Sequence, residues 1–212
     1  MSAADPLART RDDIIRAARH LAGQGMSPGS SGNLSVRVGD RVLITPTGSS
    51  LSRVEAADLA EVLLDGTVVG SSRPSKEVPL HLAAYRRRPD ATAVVHLHSP
   101  YATAIACLPP DGDGHAALPL LTPYRVMRLG DVPVAPYAAP GTAELAAGVD
   151  GLAAGSAVLL LAQHGSVTAG VDLDTAVDLA EELETAAQLT LLLAGTAARE
   201  LSAEAVAVLR SR

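Results

Sequence analysis

The chain contains no phenylalanine and no tryptophan, and its four tyrosines make up its whole aromatic complement. Any core must be built from aliphatic side chains, and recognition by stacking bases on aromatic rings has almost no surface to use. Positive charge is also short, with 17 basic against 23 acidic residues and a formal net charge of −6. A protein that neutralises phosphate backbones needs a basic face, so no nucleic-acid partner is expected. The single cysteine, Cys107, excludes an internal disulfide and any cysteine-rich metal site, and it fits a reducing cytoplasm. The longest apolar run, Ala157 to Ala162, is far short of the roughly 20 residues a membrane helix needs. The opening MSAADPLARTRDD carries early mixed charge and no apolar stretch before a small-residue site, so no signal peptide is expected. Lysine is nearly missing too: Lys76 is the only one, the other basic residues being arginine.

What is present is a chain of 212 residues, 48% of them apolar, enough to bury one full core. Ile14, Ala17, Ala18 and Leu21 recur at helical spacing and predict an amphipathic first helix. A Gly/Ser-rich segment, 25–32, leads into residues 34–38 and 42–44, which read as a hairpin across Gly39-Asp40. A short helix over about 54–60 and a second hairpin around Asp65-Gly66 are expected next, followed by a helix from Ser75 carrying Glu77, His81 and Tyr85. Residues 92–98 read as a buried strand, with a helix starting near Ser99-Pro100 and a loop over 109–132. A helix from 140–142, a buried strand over 158–162, a long helix from 172 to Gly195 and a last helix over 202–210 complete the reading. Helices flanking strands joined partly by hairpins predict a single three-layer α/β/α domain over 1–212 with a mixed, largely antiparallel central sheet.

The sharpest chemical signal is His96-Leu97-His98. Alternation along a strand sends both imidazoles to one face, where neutral nitrogens suit a borderline divalent metal. A catalytic zinc site ordinarily takes three protein ligands and keeps an open position, and His164, at the end of the other buried strand, is the natural third. A chance pair of core histidines is the plain alternative, and the further strand-end histidine weighs against it. His20 and His115 read as solvent-facing. Glu77 is the candidate acid/base and a possible fourth ligand, set against the ordinary role of a carboxylate at a helix start. His81, four residues on, either orients Glu77 or packs. Gly29 to Asn33, Thr45 to Gly48 and Ser75-Lys76 each offer backbone N–H groups, hydroxyls or charge to an anion, although each alone reads equally as a turn or cap.

Taken in order, Gly32-Asn33-Leu34-Ser35, Ile44-Thr45-Pro46-Thr47-Gly48, Ser75-Lys76-Glu77, His96-x-His98 and Gln163-His164-Gly165 resemble the class II aldolase/adducin family over about residues 10–190. The resemblance implies a homotetramer with Zn2+ on His96, His98 and His164, and Glu77 as catalytic acid/base. It implies phosphate contacts at Asn33, Thr47, Gly48 and Ser75, with Ser30 and Gly32 nearby, and a catalytic position for Tyr124, often supplied across a subunit boundary. Within the family the stretches 74–78, 95–99 and 122–128 leading to Pro136-Tyr137 are most similar to 3-oxo-tetronate 4-phosphate decarboxylases. Where sugar-phosphate aldolases commonly have Ser-Ser-Glu, this chain has Ser75-Lys76-Glu77, which gives the lone lysine a role on the phosphate or the carboxylate of the substrate. The implied reaction is metal-dependent decarboxylation to dihydroxyacetone phosphate and CO2 through an enediolate stabilised by the metal. An aldolase or 4-epimerase acting on a ketose phosphate is the first alternative, and a metal-free adducin-like interaction module the second. From the short stretch beyond the last helix, the longer C-terminal tail with a catalytic tyrosine that some aldolases carry is not expected here.

Overall fold

A computed structural model describes residues 6–211; residues 1–5, on which part of the signal-peptide expectation rests, lie outside the described residues. One eight-stranded sheet runs in the order β4-β3-β2-β1-β5-β8-β7-β6. Its strands are β1 (Asn33–Val38), β2 (Arg41–Ile44), β3 (Ala60–Leu63), β4 (Val68–Val69), β5 (Ala93–Leu97), β6 (Val134–Ala135), β7 (Val158–Leu161) and β8 (Gly165–Gly170). Every neighbouring pair is antiparallel except β6 with β7, which is parallel. The helices are α1 (Pro6–Gly23), α2 (Val78–Arg87), α3 (Pro100–Ala106), α4 (Ala143–Ala153), α5 (Leu173–Leu192) and α6 (Ala203–Arg210).

Strand alternation sorts the core into two faces. On one, Val42, Ile44, Val62, Val94, Leu159, Leu161 and Val167 pack against Leu80, Ala83 and Ala84 of α2 and Leu145 and Val149 of α4. On the other, Leu34, Leu43, Val95 and Leu97 meet Ile14, Ala18 and Leu21 of α1 and Ala176 and Ala180 of α5. Further along that face, Val158 and Leu160 of β7 pack against Ala102 and Ile105 of α3 and Leu183 and Ala187 in the far half of α5. The expected three layers and mixed, largely antiparallel sheet are therefore present, filled by alanine and branched aliphatics as the missing aromatics require.

Several boundaries differ from the expectations. No helix forms over 54–60; residues 51–58 make separate turns that bury Leu51 and Val54, and β3 starts at Ala60. The helix expected from Ser75 begins at Val78, leaving Glu77 as its N-terminal flanking residue with no side-chain cap. Within the expected loop 109–132, residues Arg125–Leu129 form a π-helical turn. The strand expected to end in His164 stops at Leu161, and the chain turns back at once into β8. His20 is exposed and pairs with Glu181, as its surface placement predicted. His115 is partly buried and bridges to Pro133.

Candidate active site

Four side chains from three separate stretches converge at one end of the central strands. His96 lies on β5 and His98 just beyond it, both turned to the face that α2 covers. His164 stands in the tight connection between β7 and β8, where Gln163 is the one non-glycine residue with positive φ (57°) among those described. That left-handed backbone, which costs of order 1–2 kcal/mol for a residue with a Cβ, turns the chain sharply enough to aim His164 inward. The Gln163 N–H donates to the Ala106 carbonyl at 2.9 Å and the His164 N–H to that of Leu161 at 3.0 Å, so both sides of the turn are pinned. Glu77 arrives from the start of α2, its N–H donating to Ser75 Oγ at 3.2 Å.

One ligand atom from each of Glu77, His96, His98 and His164 lies within 4.8 Å of all the others. His96 Nε2 is 3.0 Å from His98 Nε2 and 3.2 Å from Glu77 Oε2, and His164 Nε2 is 3.3 Å from Glu77 Oε1. The three rings meet edge to face, with centroids 4.8–4.9 Å apart. His96 Nδ1 donates to the Ser166 carbonyl at 2.8 Å, which leaves Nε2 as the ring nitrogen that faces the cluster.

Burial by itself raises the Glu77 carboxyl, but contacts with His164 and His96, the charge on His96 and the Asn33 amide outweigh it and hold the pKa far below the ordinary 4.5. Burial, reinforced by repulsion from His96 and His164 and opposed by Glu77, pushes His98 down to about 4. The carboxylate is held ionised and the His98 ring neutral, the states in which both act as ligands.

The chemistry of this donor set fits a divalent cation. Glu77 Oε1 and both ring nitrogens of His164 are buried with no hydrogen-bond partner, and buried polar groups are rarely left so. Donors around a tetrahedral zinc at its usual bond lengths stand roughly 3.3–3.5 Å apart, and three contacts of 3.0–3.3 Å here come near that spacing within a set that spans up to 4.8 Å. Three imidazole nitrogens and one carboxylate oxygen form a borderline donor set suited to zinc.

The expected anion-binding residues lie in neighbouring loops with differing exposure. Ser30, Thr47, Gly48 and Lys76 are exposed, whereas Ser75 and Asn33 are buried. Gly32 has φ +74°, and a Cβ there would stand 2.3 Å from Ser27 Oγ and 3.0 Å from the His96 carbonyl, so only glycine lets this loop lie against β5. The Asn33 amide is turned inward: its Nδ2 donates to Glu77 Oε2 at 2.8 Å and its Oδ1 accepts from His81. Sequence reasoning left that contact unseen, although Asn33 and Ser35 sharing one face of β1 was a usable signal. Tyr124 is not brought to the cluster by its own chain; it is 59% exposed at the entrance to the π-helical turn. Arg125 is buried and donates to the carbonyls of Gly130 and Leu118, whereas Arg128 and Lys76 are exposed.

A mixed sheet that gathers three histidines and a glutamate at one end of its central strands defines an α/β protein with a side-chain cluster that could hold a metal ion. The chain belongs to the class II aldolase and adducin N-terminal domain family, whose model matches residues 12–191. It is 42% identical over 200 residues to a 3-oxo-tetronate 4-phosphate decarboxylase of Haemophilus influenzae, covering 94% of this chain and 95% of the relative. It is 36% identical over 180 residues to the L-fuculose phosphate aldolase of Escherichia coli K12, covering 84% and 80%. Among solved structures it superposes with a TM-score of 0.91 on YgbL of Klebsiella pneumoniae, for which aldolase, epimerase and decarboxylase activities are all left open. That pair is 41% identical over 96% of this chain and 99% of the other.

Proposed function

We propose that this chain is a metal-dependent carbon–carbon lyase that converts a 3-oxo-tetronate 4-phosphate to dihydroxyacetone phosphate and CO2. The observation carrying the reading is the Glu77–His96–His98–His164 cluster in a chain so similar to decarboxylases of that name. His96, His98 and His164 would hold the ion, with Glu77 as a fourth ligand, and zinc is the ion the donor set favours. Bound there, the ion supplies Lewis acidity towards the oxygens next to the breaking bond.

In the reaction the bond from the carboxyl carbon to C2 breaks, its electron pair moves towards the C3 ketone, and one proton must then reach C2. Glu77 is the group that would relay that proton: ionised at rest, it would take a proton from solvent water and give it to C2, directly or through a further water, the overall reaction consuming one proton. Ser75, Thr47, Gly48, Ser30, Gly32 and the main chain of Asn33 would meet the phosphate, with Lys76 as a mobile positive charge on the phosphate or the carboxylate. These contacts are remote from the breaking bond and serve to orient it. Tyr124 would enter the site of a neighbouring copy in a homotetramer, since it is exposed on its own chain. The chain is read as one cytoplasmic catalytic domain; among the described residues no helix is long and apolar enough to cross a membrane.

The likeness to L-fuculose phosphate aldolase keeps aldol cleavage or epimerisation of a ketose phosphate as the second reading. Incubating the purified protein with each substrate and following CO2 against aldehyde release separates them. CO2 from the oxo-acid is expected; clean aldehyde formation from a ketose phosphate with no CO2 overturns the first reading. Elemental analysis that finds no divalent metal, with no activity on adding one, overturns both in favour of an interaction module.

A further inference from the structure

Beside Glu77, running from Asn33 into the packing of β1 against α2, lies a file of buried polar side chains that the proposed reaction does not use. Asn33, Ser35, His81 and Tyr85 are each no more than 5% exposed. Asn33 and Ser35 occupy one face of β1, and His81 and Tyr85 lie one turn apart on α2. The contacts are continuous: Asn33 Nδ2 to Glu77 Oε2 at 2.8 Å, His81 Nε2 to Asn33 Oδ1, Ser35 Oγ to His81 Nδ1 at 2.7 Å, and Tyr85 Oη to Ser35 Oγ at 2.8 Å.

The direction of every bond follows from its end. An ionised Glu77 can only accept, so the Asn33 amide must present its NH2 to Oε2 and its oxygen to His81. That oxygen needs a donor, which makes His81 the Nε2–H tautomer. His81 Nδ1 then accepts, and Ser35 must give its hydroxyl proton to it. Ser35 Oγ is left as an acceptor, so the single Tyr85 hydroxyl proton is shared between it and the Ser35 carbonyl at 3.0 Å. His81 is fully buried and held neutral, burial and repulsion from His96 pushing it to about 3 against the pull of Glu77. Reversing any member would set two acceptors or two donors face to face in a buried site, at a cost of about 1–3 kcal/mol each.

We propose that His81 is a positioning residue for Glu77, acting through Asn33 at the head of this one-way hydrogen-bond file. The clamp occupies Oε2 and leaves Oε1, which has no hydrogen-bond partner, as the oxygen free to act. The inference rests on the proposed role of Glu77 as acid/base, but the tautomer it requires does not.

The test uses the purified full-length chain and its His81→Leu and His81→Gln variants. Two-bond 1H–15N spectra should show His81 as the Nε2–H tautomer at neutral pH, with or without added zinc. The leucine variant, which loses the donor, should lower kcat for CO2 release by about 10–100-fold while KM moves less than about twofold. The glutamine variant, which can still donate to Asn33 Oδ1, should recover most of kcat. An Nδ1–H tautomer, an imidazolium, or a folded leucine variant with wild-type kcat overturns the proposal. If the leucine variant does not fold, a glutamine variant about tenfold or more below wild type overturns it. A wild-type protein that releases no CO2 defeats the functional reading alone, because the tautomer still decides the hydrogen-bond file.

Discussion

The backbone of Gly165 lies so close to the Leu97 carbonyl that a Cβ on residue 165 would stand 2.2 Å from that oxygen and 3.3 Å from the His98 ring. The glycine is what lets β8 close on β5 at the point where His164 and His98 must face one another. Gly165→Ala should force the strands apart, destabilise the fold by about 1–3 kcal/mol and weaken metal binding. Thermal melting and competition with a chelator measure the two effects. Unchanged metal affinity would show that the histidine spacing does not depend on this contact.

Deleting a ligand and neutralising the acid should separate binding from chemistry. His98→Ala removes one of three ring donors, and elemental analysis should find the metal lost. Glu77→Gln keeps a neutral oxygen donor beside three intact imidazoles, so metal should be retained while CO2 release falls by at least about 100-fold. Wild-type turnover in the glutamine variant would remove Glu77 from proton transfer.

Much of this site was legible because its histidines sit on or just past the ends of short, strongly apolar strands: Val94-Val95 leads to His96 and His98, and Val158 to Leu161 leads to His164. β8 was not legible, since Gly165-Ser166-Val167-Thr168-Ala169-Gly170 is mostly small residues whose burial comes from α5 lying over them rather than from hydrophobic alternation. The helix expected over 54–60 fails for the converse reason. Leu51, Val54 and Leu59 mimic helical spacing, yet each is buried by a separate turn beside β3. The clamp on Glu77 joins residues 44 apart in sequence, and only the pairing of Asn33 with His96 across β1 and β5 brings it into being.

Acid should destabilise the metal-free protein well before its carboxylates titrate. His81 and His98 have folded-state values pushed below their ordinary 6.5, to about 3 and about 4. Between those values and 6.5 the unfolded chain binds more protons than the folded one, so stability is complete above 6.5 and is lost as pH falls. His81, fully buried, contributes a slope approaching about 1.4 kcal/mol per pH unit from about pH 6 to about pH 4, and His98, partly open to solvent, adds less. Glu77, also depressed, extends the loss in the same direction below its unfolded value. Urea midpoints measured at several pH values should fall steadily from about pH 6.5 downwards; a flat profile would mean that His81 is not held neutral.

Lys76 is exposed one residue before the proposed acid/base, and it is the sole lysine of the chain. Lys76→Ser should raise KM for the phosphorylated oxo-acid about tenfold or more, the worth of one hydrogen bond to a charged group, with kcat little changed. The increase should shrink with added salt. Unchanged kinetics would reject a binding role.

Tyr124 tests the assembly. It is 59% exposed on its own chain, and Met127, three residues on, is exposed as well, so this turn offers apolar surface to a neighbouring copy. If Tyr124 serves a neighbour's cluster, then Tyr124→Phe and Glu77→Gln each damage a different component of the same composite site. Assemblies of either variant alone should be nearly inactive. Unfolding and refolding the two together should create hybrid assemblies in which some sites draw an intact Glu77 from one chain and an intact Tyr124 from another. CO2 release should then exceed that of either variant alone by an amount that depends on the mixing ratio and is greatest near equal parts. A mixture no more active than the sum of its parts, with sedimentation showing that hybrids have formed, would confine Tyr124 to its own subunit or remove it from catalysis.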